Sequence, residues 1–119
     1  MYIRECSIFL AVFSEPPFFD VRPSEYYQGL LSDRVVMHCV ARGSPTPEVT
    51  WRKVEGLFPS SRKTMVVGGN LTIVDLSVED QGRYECVATN VVASIIAGTT
   101  LLVECKHTRT APLTQLIQK

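Results

Sequence analysis

Asp80-Gln81-Gly82-Arg83-Tyr84-Glu85-Cys86 is the stretch that decides how this chain is read, together with Cys39 and Trp51 upstream. Residues Gly82–Thr89 form a β-like run in which Tyr84 and Cys86 share a side, because successive strand residues face opposite ways. Arg34–Ala41 alternates in the same manner. Val35, Met37, Cys39 and Ala41 share one face, and Arg34, Val36, His38 and Val40 share the other. Between these runs, Glu48–Lys53 turns Val49 and Trp51 to one side. Four cysteines (Cys6, Cys39, Cys86 and Cys105) allow three fully paired connectivities, and counting does not choose among them.

Composition narrows the class. A chain of 119 residues has room for one ordinary domain. Its 12 basic and 12 acidic residues cancel, so no global field draws it to nucleic acid or to an anionic membrane. A hydrophobic content of 45% is that of a globular protein. The longest apolar stretches are strand-sized, well short of the ~20 residues that cross a bilayer. No nucleic-acid partner and no direct membrane insertion are therefore expected, and a span, if present, lies outside this sequence. There is no useful helical period and no internal repeat. The expectation is an all-β fold.

Turn residues punctuate the strands. Pro16-Pro17 opens an edge strand over Phe18–Val21, followed by a second short piece over Tyr26–Leu31. Gly43-Ser44-Pro45-Thr46-Pro47 is a turn cluster. Val54–Ser61 is irregular and leaves room for only a short strand. Arg62–Val67 and Asn70–Asp75 read as a hairpin around Gly68-Gly69, a pair suited to positive φ, with Leu71 and Ile73 facing inward. Ile95–Val103 is the last strand. Residues 1–15 read as a leader or a fragment boundary. Their apolar run Cys6–Phe13 loosely resembles a secretion signal, although Glu5 is unfavourable there. Residues 105–119 read as a flexible tail or linker, which leaves 16–104 as the domain.

The frame Cys39…Trp51…Cys86, closed by Asp80-x-Gly82-x-Tyr84-x-Cys86, resembles an immunoglobulin-superfamily domain of the I-set. The resemblance implies a Greek-key, two-sheet antiparallel sandwich in which a Cys39–Cys86 bridge joins the sheets and Trp51 packs on it. It further implies that the Tyr84 hydroxyl binds a backbone carbonyl a few residues upstream. Gly82 is expected in a conformation that a β-carbon would penalise. Asp80 is expected to pair with a cation at the start of the preceding strand, with Arg62 the first choice and Lys63 the second. Such a bridge is worth about 4 kcal/mol in the chain-entropy model, against a typical net stability of about 5–15 kcal/mol. Burying Trp51 adds roughly 4–6 kcal/mol as an upper figure. Trp51, Leu71, Ile73, Asp80, Gly82 and Tyr84 are thus scaffold residues with no binding role. A structural disulfide implies an extracellular location, secreted or at the cell surface. Cys6 and Cys105 would lie at opposite poles of such a sandwich, beyond the ~7 Å of a bridge. They are expected to be free, cleaved away or paired elsewhere.

No catalytic set converges. His38 faces away from Cys39 on its strand, His107 falls in the tail, and no nucleophile–base–orienter group assembles. No enzyme activity, metal or cofactor is expected. Asn70-Leu71-Thr72 is an N-glycosylation sequon, although asparagine also suits the end of a Gly68-Gly69 turn. Arg52, Glu85, Val87 and Thr89 should face solvent on one sheet. Beyond them Val91-Val92-Ala93-Ser94-Ile95 forms an apolar turn, and Val91, Val92 and Ile95 are candidate contacts for a protein partner.

Within the I-set, the strings Val49-Thr50-Trp51-Arg52-Lys53-Val54, Gly69-Asn70-Leu71-Thr72-Ile73 and Glu85-Cys86-Val87-Ala88-Thr89-Asn90-Val91-Val92 are similar to repeats of the Turtle/Dasm group of neural adhesion receptors. This similarity implies a cell-adhesion or recognition module acting by protein–protein contact, homophilic or heterophilic. Its neighbours would be immunoglobulin or fibronectin-type domains. Two rival readings are an intracellular I-set module of a muscle or cytoskeletal protein and a secreted single-domain recognition factor.

Overall fold

The computed structural model describes residues 14–105, which form nine strands and one short 3₁₀ turn. The expected leader and tail lie outside these residues except at Ser14, Glu15 and Cys105. The strands are β1 Glu15–Val21, β2 Tyr26–Leu30, β3 Val35–Met37, β4 Val40–Ser44, β5 Glu48–Lys53, β6 Thr64–Val67, β7 Asn70–Ile73, β8 Gly82–Thr89 and β9 Ser94–Glu104. One layer is the four-stranded sheet β2-β9-β8-β5. The other consists of β3-β7-β6 and β1-β4. The all-β immunoglobulin-like sandwich is therefore present.

Two features depart from the sequence expectation. The sandwich is not wholly antiparallel, since β2 runs parallel to β9 from Tyr26↔Thr100 to Leu30↔Glu104. The chain first pairs β1 with β4, then crosses at residues 22–25 into the opposite layer. Pro23, which lacks an N–H, sits where the ladder breaks. The second departure is that Arg34–Ala41 is not one strand but two, interrupted at His38 and Cys39. Side chains replace the ladder there. The His38 N–H donates to the Tyr27 hydroxyl at 3.1 Å, and the Cys39 N–H donates to Asn70 Oδ1 at 3.0 Å. Both donors keep a partner, as backbone groups in a folded chain require. Inward alternation survives the break, with Val35, Met37 and Cys39 all buried.

A disulfide joins Cys39 to Cys86 across the layers, with their Cα atoms 6.6 Å apart. Trp51 stands opposite Cys86 in the β5–β8 register and is buried. Its indole N–H donates to the Gly69 carbonyl at 2.7 Å. Leu71, Ile73, Leu76, Tyr84 and Leu101 complete the core. Gly68 and Gly69 connect β6 to β7 with φ of +60° and +91°. A Cβ on Gly69 would overlap the Cys39 carbonyl oxygen. Glycine is thus needed at this turn for its conformation and for close backbone approach.

Thr99 is fully buried on β9 opposite Tyr84, and its hydroxyl has no partner among the described residues. Leaving such a group unpaired is unfavourable. Thr99→Val keeps the shape and removes the orphan hydroxyl, so it should stabilise the fold by about 1 kcal/mol. A urea titration reads this as a higher midpoint at unchanged slope; a lower midpoint contradicts it.

Candidate recognition surface

The scaffold behind the surface closes at one corner. Asp80 ends the 3₁₀ turn Val78–Asp80 and is buried. Its carboxylate accepts from Lys63 Nζ at 2.7 Å and from the Ser77 N–H at 2.9 Å, while its carbonyl accepts the Tyr84 hydroxyl at 2.6 Å. The cation is Lys63, not Arg62, which was the first expectation. Backbone bonds from Lys63 N–H to the Ser60 carbonyl and from Val74 N–H to the Lys63 carbonyl fix Lys63 just before β6. Arg62, one position earlier, is exposed. Burial, and secondarily the Asp80 charge, push the Tyr84 phenol well above its usual value of 10.0, so it stays a neutral donor. Gly82 adopts φ +144°, in the region that favours glycine.

At the far end of the same sheet, Asn90 organises the β8–β9 turn. Its Oδ1 accepts from the N–H groups of Val92 at 2.8 Å and Ala93 at 3.2 Å. Its Nδ2 donates to the carbonyls of Glu15 at 2.8 Å and Pro45 at 3.0 Å. One amide therefore ties the turn to the start of β1 and to the β4–β5 turn. Sequence reasoning did not single out Asn90. The available signal was an asparagine at a strand end, a residue that bonds its own following backbone.

This clamp presents an apolar tip. Val91 is 84% exposed and Val92 is exposed beside it. Ile95 does not join them. It pairs with buried Ala88, shares that inward face and is half-buried. Its neighbour Ile96 is exposed and lies opposite Val87, which in turn lies opposite Thr50. The outward row on this face is thus Thr50, Val87 and Ile96, of which Val87 and Ile96 are apolar. Beside it runs a polar row in which Arg52 bonds Glu85 at 2.7 Å. That exposed pair contributes little stability and leaves the face patterned with charge.

Asn70 is half-buried, with Oδ1 committed to Cys39 as described above. Cys105 is an exposed free thiol. Among the described residues no group of three or more His, Cys, Asp or Glu could hold a metal ion. None of the helices among the described residues is long and apolar enough to cross a membrane. An open cleft of about 690 Å³ lies beside Lys53, Phe58, Pro59 and Lys63. Both ammonium groups there are already engaged, Lys53 with the Glu79 carbonyl and Lys63 with Asp80. Among the described residues lining it, Asp80 is engaged by Lys63 and the Ser77 N–H, and no nucleophile–base pair is hydrogen-bonded.

Asn90→Asp separates the two halves of the clamp. The carboxylate still accepts from Val92 and Ala93 but faces the Glu15 and Pro45 carbonyls without a donor. The expected cost is about 2 kcal/mol in denaturant unfolding, with faster amide exchange in β1 and retained protection at Val92. Unchanged stability contradicts the clamp.

Comparison with known proteins agrees with this geometry. A family model described as an immunoglobulin domain matches residues 16–90. Protein turtle homolog B of Homo sapiens is 44% identical over 92 residues, covering 77% of this chain and 7% of that protein. Protein turtle of Drosophila melanogaster is 42% identical over 96 residues, covering 76% of this chain and 6% of that protein. The chain thus spans a small part of these relatives' length. Among solved structures, the tandem Ig repeats of Dlar superpose with a TM-score of 0.69 at 32% identity, covering 76% of this chain and 49% of that one. With the sulfur bridge, the buried indole and the tyrosine corner all in place, the chain belongs to the immunoglobulin domain family and is homologous to the turtle proteins.

Proposed function

We propose that this chain is a non-catalytic recognition module of an extracellular, multi-domain adhesion receptor, neural by its Turtle-type likeness. It acts by protein–protein contact through the β8–β9 turn and the adjoining outer face of its sheet. The observation that carries this reading is the exposed pair Val91–Val92 on a turn held by four Asn90 bonds. Scattered exposed apolar residues need no explanation, but two adjacent exposed valines on a fixed turn are a preset apolar tip, separated from the Val87–Ile96 pair by the hydrogen-bonded Thr89–Ser94 pair. The partners are proteins, a second copy included, or a neighbouring immunoglobulin or fibronectin-type domain. A single turn and face give weak monovalent binding, which several linked domains raise by effective concentration.

The disulfide supports an oxidising location, and Asn70 is the proposed glycan attachment point there. Secretion from animal cells should yield a chain whose mobility shifts on enzymatic deglycosylation. Efficient secretion with no shift removes Asn70 from the reading. For the turn, beads coated with the chain are mixed with cells displaying turtle-type receptors. Val91→Asp with Val92→Asp should cut adhesion at least tenfold at unchanged thermal stability, because both side chains are exposed. Undiminished adhesion would falsify a contact role for the turn.

A further inference from the structure

The edge of the opposite layer carries a second surface. Strand β6, Thr64–Val67, ends the sheet β3-β7-β6 and, among the described residues, pairs only with β7. An open edge offers unpaired N–H and C=O groups, and proteins shield such edges with charge, proline or covering structure. Three other outer strands are shielded in this way. Strand β1 carries Pro16, Pro17 and Asp20, β5 carries Glu48, Arg52 and Lys53, and β2 lies against β3, where the Tyr27 hydroxyl accepts from His38. Among the described residues strand β6 has none of these devices. It is Thr-Met-Val-Val, with Met65 63%, Val66 45% and Val67 64% exposed.

We infer that β6 is a self-pairing edge whose occupant is β6 of a second copy, joined antiparallel about a two-fold axis. The register follows from parity. A two-fold axis normal to the sheet keeps each face on itself, so directly opposed residues must point the same way. Centring on Val66 sets Val66 against its own copy and Met65 against Val67 of the second copy. That arrangement gathers two Met65 and two Val67 side chains on the outer face, where each alone is exposed. Thr64 then meets Gly68, and Lys63 meets Gly69, so no like charges face each other. Centring on Met65 instead would set Lys63, already committed to Asp80, against apolar Val67. Sequence and charge both select the first register. Four residues per copy bury less than the ~1,000 Å² of a stable complex, so the pairing is weak, with a dissociation constant on the order of 0.1–1 mM. It is independent of the β8–β9 turn, which belongs to the other layer.

The test is sedimentation equilibrium of the full chain, oxidised at Cys39 and Cys86 and carrying Cys6→Ser and Cys105→Ser, up to about 1 mM. The expected result is a reversible monomer–dimer equilibrium. Met65→Lys should weaken it at least tenfold, whereas Val91→Asp should leave it unchanged. In the same background Val66→Cys should cross-link to itself under mild oxidation at least fivefold faster than Met65→Cys, whose sulfurs are offset along the strands. A monomer throughout that concentration range overturns the proposal, as does a dimer indifferent to Met65→Lys or cross-linking with the opposite preference.

Discussion

Cys39 makes three contacts on which the rest of the molecule depends. Its sulfur is bonded to Cys86 in the opposite layer, its N–H is held by Asn70, and its carbonyl lies so close to Gly69 that a side chain there would collide. Trp51 closes the figure from the other side by donating its indole N–H to Gly69. One residue thereby draws together the interrupted β3–β4 run, strand β8 and the β6–β7 turn. The covalent part limits the unfolded chain, and the hydrogen bonds satisfy polar groups that burial would otherwise leave unfavourable.

From this centre the two proposed surfaces follow as what the scaffold leaves over. Side chains that build the core face inward from both layers, so recognition falls to turns, outer faces and edges. The β8–β9 turn is made rigid from below by Asn90. Strand β6 is positioned from within by the Trp51–Gly69 bond and at its start by the Lys63–Asp80 pair. A surface fixed before contact loses less freedom on binding. Both surfaces are small and apolar, which suits the weak, multiplied contacts proposed above rather than one tight complex.

Much of this was legible in the residues, and the parts that were not share a physical cause. The frame of Cys39, Trp51, Tyr84 and Cys86 carries its own spacing, and the strand bounds of β5 and β8 coincide with the alternation in the chain. Period-two patterning says which side a residue faces but not where its backbone bonds go. For that reason Arg34–Ala41 read as one strand, although Tyr27 and Asn70 take its donors at residues 38 and 39. The same limit hid Asn90, whose partners Glu15 and Pro45 are distant in sequence. Lys63 displaced Arg62, and Ile96 took the outward place expected of Ile95, because a shift of one residue at a strand end reverses the side that faces solvent. The parallel pairing of β2 with β9 depends on a crossing at Pro23 that local propensity does not announce.

The central claim is that the sulfur bridge sets the stability of everything attached to it. Guanidinium unfolding of the oxidised chain, compared with the double variant Cys39→Ala, Cys86→Ala, measures it most directly. The account predicts a loss of about 4 kcal/mol or more, with the Trp51 fluorescence and backbone dichroism transitions moving together. Equal midpoints for the two chains would contradict it.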